Sequence, residues 1–353
     1  MPRDDITYAQ AINEALDQSL AEDSSVYLVG LGVPDVKGVF GTTLGLQEKY
    51  GSDRVQDMPI SENGITGIAL GAAITGMRPI ITHQRLDFAL LAMEQLVNQA
   101  AKWHYMFGAK TPVPMVVRMI IGRGWGQGPQ HSQSLQAWFA HVPGLKVVMP
   151  ATPHDAKGLL IASVRDPDPV IFLEHRWLHY VSGPVPEEPY EVPLGTARVS
   201  RGGSDLTMVG SSYMALEALR AAEFLAVDGI QAEVIDLRTI QPWDVTTVVE
   251  SVRKTGRLIV TDTGWRSFGV AAEIVATVAE QSLTALKAAP RRVTLPDGPT
   301  PTTPALSKYY YPRAVDIVDE ARALMGLGPK PELRELEKDI RFDIPDPAFT
   351  GPF

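Results

Sequence analysis

The stretch Pro59–Ala73, PISENGITGIALGAA, combines a helix start with an unusual glycine pattern. Ser61 is a residue type that caps helices, and Glu62 would sit in the first turn, where the helix dipole favours a carboxylate. Each glycine inside a helix costs about 1 kcal/mol relative to alanine. Three of them share one face of the predicted helix: Gly64, Gly67 and Gly71. A face without side chains lets a neighbouring backbone or a flat ligand approach closely, and the residues alone do not choose between the two.

On both sides of this helix the sequence alternates between strand and helix patterns. The apolar run Val113–Ile121 is typical of a strand buried in a parallel sheet. Strands and helices that alternate with short connections favour a mainly parallel α/β sheet covered on both faces. In this half we predict strands at 26–29, 79–82, 113–121, 145–149 and 170–174, and helices at 7–22, 62–77, 87–104 and 153–165.

Residues 184–204 interrupt the alternation, because they are rich in proline and glutamate, and we predict an interdomain linker there. The alternation then resumes in a second, smaller α/β domain over residues 205–327. The proline-rich residues 328–353 are expected to form a tail. In the second domain we predict strands at 206–209, 232–236, 258–262 and 292–295, and helices at 212–228, 244–254, 268–281 and 312–325.

The composition narrows the class of protein. A chain of 353 residues is long enough for two domains, each with its own core. The net charge of −9 offers nothing to nucleic acid or to an anionic membrane, so neither is expected as a partner. The chain has no cysteine, which excludes disulfides and a catalytic thiol. With no signal-peptide pattern and no apolar stretch of about 18–20 residues, we expect a cytoplasmic protein.

A second segment that could carry chemistry is Gly122–Ser134, GRGWGQGPQHSQS. It follows a predicted buried strand and therefore leaves the carboxyl edge of the sheet, where open α/β folds bind ligands. His131 in this segment could act as an acid, a base or a hydrogen-bond donor. The glycine spacing matches neither a dinucleotide fingerprint nor a phosphate loop. A structural glycine loop with a merely polar histidine fits these residues equally well.

Taken in order along the chain, these segments resemble the β subunits of thiamine-diphosphate-dependent 2-oxo acid dehydrogenases. The resemblance extends from about residue 5 to residue 325. It implies a pyrimidine-binding domain over residues 1–183 and a transketolase-type C-terminal domain over residues 205–327. Its most specific stretches are 59–73, 126–150, 151–160 and 235–244.

The resemblance also implies roles for individual side chains. Glu62 matches the glutamate that hydrogen-bonds N1′ of the cofactor aminopyrimidine, and Gly64 lies on the cofactor-binding part of the same helix. Phe88 matches an aromatic residue that stacks on the pyrimidine ring, although a core phenylalanine is the plain alternative. His131 matches the active-site histidine, which could donate to the substrate carboxylate or to the developing intermediate.

Cofactors and partners follow from the resemblance and from a missing motif. Enzymes of this class hold the diphosphate through Mg²⁺ on a Gly-Asp-Gly segment, and this sequence has none; Asp297-Gly298 lacks the preceding glycine and the downstream ligand. The resemblance therefore implies a separate α subunit that holds the diphosphate and Mg²⁺ in an α2β2 heterotetramer. The chain alone should be inactive. Some relatives bind a structural potassium ion, largely through backbone carbonyls, where this sequence has Ser163, Asp166 and Asp168, although an ordinary helix end and turn is the plain alternative.

The sequence departs from the family pattern in two places. Leu31 stands where members usually have an acidic residue, so the polar path that this residue forms between paired active sites is not carried over. The polar stretch Thr82–Asp87, with His175 and Arg176, hints at a polar or anionic substrate or acceptor.

The first hypothesis is a decarboxylating dehydrogenase component that passes an acyl group to a lipoyl acyltransferase. The alternative is a transketolase- or acyloin-type subunit that passes its unit to an aldehyde without a lipoyl partner. A third is a non-catalytic scaffold, against which the joint presence of Glu62, Phe88 and His131 argues.

Overall fold

The computed structural model describes residues 4–124 and 126–337, and these residues form two compact units. The first unit runs to Gly122 and continues over Gln130–Leu194. The second unit contains Arg123–Pro129 and the described chain from Gly195 to Glu337. The loop predicted to carry chemistry is therefore shared between the two units along the sequence.

The first unit is built on a parallel sheet. Six of its strands pair in the order β6-β7-β5-β4-β2-β3, all parallel, and β1 pairs with β8 as a separate antiparallel ribbon. The strands are β1 (Ile6–Thr7), β2 (Val26–Gly30), β3 (Val55–Gln56), β4 (Arg78–His83), β5 (Val116–Ile121), β6 (Lys146–Val148), β7 (Val170–His175) and β8 (Ser182–Gly183). The helices are α1 (Tyr8–Glu22), α2 (Leu46–Tyr50), α3 (Glu62–Ile74), α4 (Leu86–Ala89), α5 (Ala101–Met106), α6 (Gln136–Ala140) and α7 (Pro153–Arg165).

The core of this unit lies between the sheet and its helices. All residues of β2, β5 and β7 are buried, as expected for strands covered on both faces. Helices α1 and α7 pack against each other, and α3 packs against β4. The carboxyl ends of β4 and β7 bring His83 and His175 to the same edge of the sheet.

The second unit is a five-stranded sheet with the order β14-β13-β10-β11-β9. Its pairs are parallel except at the edge, where β9 runs antiparallel to β11. The five strands of this sheet are β9 (Arg198–Arg201), β10 (Leu206–Gly210), β11 (Ala232–Asp236), β13 (Leu258–Trp265) and β14 (Arg291–Leu295). A further short strand of the unit, β12 (Thr239–Gln241), is not part of this sheet. The helices are α8 (Tyr213–Val227), α9 (Val245–Thr255), α10 (Val270–Ser282), α11 (Pro304–Ser307), α12 (Ala314–Leu324) and α13 (Pro331–Glu337).

These two mainly parallel sheets confirm the predicted α/β class, but three local expectations need correction. The predicted linker 184–204 contains β9, so its second half belongs to the second sheet. The predicted tail 328–353 begins with α13; residues 338–353 lie outside the described part of the chain. The predicted helix 87–104 is broken into α4, a 3₁₀ turn over Leu90–Ala92, a π-helical stretch over Glu94–Ala100, and α5.

Within residues 4–124 and 126–337, no helix has both the length and the apolar character needed to cross a bilayer. The predicted cytoplasmic location stays a prediction.

Candidate active site

Glu62 is the first residue of α3, and its side chain is only 6% exposed. Its carboxylate makes no hydrogen bond within the described residues. Ser61 occupies the cap position, but its side chain does not accept a helix N–H, so the predicted cap is not formed. A buried carboxyl group that has no hydrogen-bond partner in the described part of the chain can bond a ligand that reaches it.

The glycine face of α3 is only partly covered by its own chain. A Cβ added at Gly67 would lie 3.3 Å from Oε1 of Gln95, whereas one added at Gly71 would meet nothing within 4 Å. Among the residues that the structure describes, a side chain therefore packs closely against α3 at Gly67, and none does so at Gly71. Two apolar side chains in this region are exposed: Ile68 on α3 is 66% exposed, and Ile60, two residues before the helix, is 80% exposed.

Phe88 and His131 are brought together from distant parts of the sequence. Their ring centroids lie 5.3 Å apart and the ring planes are perpendicular, at 88°. Phe88 is half-buried on α4, which packs against α3, the helix that begins with Glu62. His131 is exposed at the end of the single turn Pro129–His131. An edge contact is one of the arrangements that aromatic rings prefer, so it favours this orientation of the two rings.

The polar residues near this site are engaged in contacts inside the chain. Arg85 donates from Nη1 to the carbonyl oxygen of Gly122 at 2.7 Å, and Gln133 donates from Nε2 to Oδ1 of Asp87 at 2.8 Å. The guanidinium of Arg176 lies 4.5 Å from the ring centre of Phe40 and is buried. These side chains thus fix the shape of the unit, which is a role that the sequence did not suggest for them.

A buried ion pair, which the sequence analysis missed, links β5 to β7. Nε of Arg118 donates to Oε1 of Glu174 at 2.7 Å, and the two side chains are 1% and 0% exposed. Nε2 of His179 lies 3.4 Å from the second carboxylate oxygen. Burial acts to raise the pKa of Glu174, but Arg118 and His179 outweigh it, so the pKa is lowered. The sequence feature that could have indicated this pair is Arg118 itself, an arginine inside the otherwise apolar strand β5.

Three histidines of the first unit are buried and neutral at pH 7. Burial lowers the pKa of His83 from 6.5 to about 4, and Nε2 of His83 has no hydrogen-bond partner among the described residues. Burial, with smaller contributions from His179 and Arg85, lowers the pKa of His175 to about 3. Burial also lowers the pKa of His179 to about 4, against the attraction of Glu174.

At the predicted potassium position, two of the three residues come together. Lys146 bonds both oxygens of Asp166, at 2.7 and 2.8 Å, and lies 3.2 Å from Asp168. Asp168 also bonds Nδ1 of His104 at 2.6 Å. The hydroxyl of Ser163 is turned away, because it donates to the carbonyl oxygen of Leu159. Potassium binding here stays a prediction. No group of three or more His, Cys, Asp or Glu side chains within 4–124 and 126–337 could hold a metal ion.

Comparison with known proteins identifies the class of protein to which this fold belongs. Residues 4–180 match the transketolase pyrimidine-binding domain, and residues 195–317 match the transketolase C-terminal domain. One solved structure, a split-gene transketolase described as an inactive β4 tetramer, superposes with a TM-score of 0.73 at 22% identity, covering 91% of this chain and 99% of that one. The fold is therefore that of the two-domain transketolase class.

The more similar relatives narrow the class to one family. The β subunit of acetoin:2,6-dichlorophenolindophenol oxidoreductase of Cupriavidus necator is 46% identical over 90% of this chain and 97% of its own length. Pyruvate dehydrogenase E1 β subunits of rice and of Staphylococcus epidermidis are 43% and 41% identical, over 90% and 91% of this chain and 86% and 98% of theirs. The chain belongs to the family of β subunits of thiamine-diphosphate-dependent 2-oxo acid dehydrogenases. These relatives favour dehydrogenase chemistry over transfer to an aldehyde.

Proposed function

We propose that this chain supplies the aminopyrimidine side of a thiamine-diphosphate site in a decarboxylating 2-oxo acid dehydrogenase. The observation that carries the proposal is the buried side chain of Glu62, whose carboxylate makes no hydrogen bond within residues 4–124 and 126–337, on a helix that packs against the helix of Phe88. A largely buried carboxyl group in this state can take a hydrogen bond from a ligand or partner. A ring nitrogen of the cofactor would be the partner in that bond.

In this proposal each side chain has one task. Glu62 holds a proton at the pyrimidine N1′, while Phe88 covers the ring face and Gly64 leaves room beside it. His131 is exposed next to Phe88, where it can donate a hydrogen bond to the carboxylate or the oxygen of the substrate. Thiamine diphosphate, when bound, supplies the nucleophile and the electron sink for loss of carbon dioxide.

The diphosphate and Mg²⁺ are assigned to a separate α chain in an α2β2 assembly, because the sequence has no Gly-Asp-Gly segment. Two exposed apolar side chains support this assignment, Ile68 on α3 and Ile60 just before the helix. We further propose a lipoyl acyltransferase as the acceptor of the acyl group.

The test is the variant Glu62→Gln, assayed with the α chain for 2-oxo acid-dependent reduction of an artificial electron acceptor. Removing a group that holds a proton in the transition state should lower kcat on the order of 10²-fold or more. The matched control is Glu48→Gln, which alters an exposed glutamate in the first turn of α2. Equal activities of the two variants would contradict the role of Glu62 and would favour a scaffold subunit.

A further inference from the structure

The segment Arg85–Phe88 contacts both ends of the loop that carries His131. At the start of the loop, Arg85 donates to the carbonyl oxygen of Gly122. At the far end, Asp87 accepts from the side-chain amide of Gln133, and the ring of Phe88 meets that of His131. This short segment therefore contacts three residues of the loop, which lie between 37 and 46 residues further along the chain.

The start of the loop is fixed by close packing as well as by this hydrogen bond. Gly122 has a φ of +76°, and a Cβ added there would lie 2.4 Å from Nε2 of His175. His175 is itself held, because its Nδ1 accepts from the backbone N–H of Trp177 at 3.2 Å. Arg85 and His175 are only 3% and 2% exposed. Only glycine fits a position with this backbone and this neighbour.

The far end is held differently, by a single hydrogen bond to a carboxylate. Oδ1 of Asp87 accepts from Gln133, whereas the buried Oδ2 has no hydrogen-bond partner among the described residues. The adjacent Ser132 is 2% exposed, so the backbone here has little freedom to move independently. An unsatisfied buried carboxylate oxygen lowers stability, so an aspartate at this position calls for an explanation other than stability.

We propose that Asp87 is a positioning residue for His131. Through Gln133 it fixes the backbone two residues beyond His131, which keeps the imidazole edge-on to Phe88. Arg85 fixes the opposite end of the same loop. The catalytic part of this inference rests on the proposed function, because His131 matters to the reaction only if the site binds the cofactor and the 2-oxo acid.

The pair of variants Asp87→Ala and Asp87→Asn tests the proposal. Asparagine retains an oxygen that can accept from Gln133, whereas alanine does not. With the α chain present, Asp87→Ala should lower kcat roughly 10- to 100-fold, the range for a small misplacement of a catalytic group. Asp87→Asn should stay within about threefold of the parent, since the hydrogen bond survives. Asp23→Ala, which removes a hydrogen-bonded aspartate elsewhere in the same unit, is the control.

A second measurement needs neither cofactor nor partner. In the isolated chain, the ring Cε1–H resonance of His131 should be displaced by the nearby ring of Phe88. Asp87→Ala should move this resonance towards that of a solvent-exposed histidine, and Asp87→Asn should not. Gln133→Ala removes the donor and should repeat the effect of Asp87→Ala, which covers the case that the latter fails to fold.

The proposal is overturned if Asp87→Asn behaves like Asp87→Ala, because the negative charge of Asp87 would then matter and not the hydrogen bond that positions the loop of His131. An unchanged His131 resonance in both Asp87→Ala and Gln133→Ala would overturn it too. If the resonance moves as expected while the parent chain with its α chain has no 2-oxo acid activity, the positioning contact stands and the proposed function fails.

Discussion

The imidazole of His131 meets the ring of Phe88 at right angles, with ring centroids 5.3 Å apart, although 43 residues separate the two in sequence. A single contact thus joins the side chain assigned to the substrate and the side chain assigned to the cofactor ring. Aromatic contacts of this geometry contribute about 0.5–1.5 kcal/mol beyond the area that they bury.

The first prediction concerns Phe88→Leu. Loss of the flat ring should raise the concentration of thiamine diphosphate needed for half-maximal activity about tenfold, since about 1.4 kcal/mol corresponds to a factor of ten. Phe88→Tyr should stay near the parent. Phe107→Leu changes a half-exposed phenylalanine of the same unit and serves as the control. A cofactor requirement that is unaltered in Phe88→Leu would rule out the ring contact.

The second prediction concerns stability in acid. His83, His175 and His179 have folded-state pKa values of about 4, 3 and 4, below the unfolded value of 6.5. Their contribution to stability is therefore complete above pH 6.5 and is lost as the pH falls from 6.5 towards 4 and below. For His83 alone, the shift from 6.5 to about 4 corresponds to about 3 kcal/mol.

Urea unfolding at pH 7, 6 and 5 measures this effect. The free energy of unfolding should fall more steeply with decreasing pH in the parent than in His83→Leu, which has one fewer buried group to protonate. His141→Gln changes an exposed histidine and should keep the slope of the parent. Identical slopes for the parent and His83→Leu would show that His83 is accessible to protons in the folded state.

The third prediction concerns the buried pair between Arg118 and Glu174. Glu174→Gln leaves the guanidinium of Arg118 buried without its counter-charge, which should destabilise the first unit by about 3–5 kcal/mol. Replacing both residues with apolar ones, Arg118→Met with Glu174→Leu, should cost less than the single change. Glu22→Gln, in the exposed pair with Arg165, should cost about 1 kcal/mol or less. Chemical denaturation followed by far-UV circular dichroism distinguishes these cases.

Much of the fold could be predicted because local signals agreed with the tertiary structure. Helix α7 begins and ends where predicted, since Thr152 caps it, Pro153 opens it and Asp166-Pro167 closes it. Strand β11 was also predicted residue for residue as a short apolar run. Family resemblance then identified Glu62, Phe88 and His131 as candidates.

The errors arose where distant contacts override local patterns. Strand β9, Arg-Val-Ser-Arg, has no apolar alternation and forms only because β11 pairs with it across the sheet edge. In the π-helical stretch, residues five apart lie next to each other, as the hydrogen bond from the side chain of Gln99 to that of Glu94 shows. This stretch packs against α3, a contact that the local sequence does not reveal. Nothing local indicated that Asp87 would meet Gln133, because the bond joins helix α4 to a loop that lies 46 residues further along the chain.

The central claim is that this chain holds only part of a thiamine-diphosphate site. The most direct measurement is a calorimetric titration of thiamine diphosphate with Mg²⁺ into the purified chain, first alone and then mixed with its α chain. We predict no heat of binding to the isolated chain and saturable binding to the mixture. Tight binding to the isolated chain would contradict the account, because the diphosphate would then be held by residues of this chain and the site would not be shared.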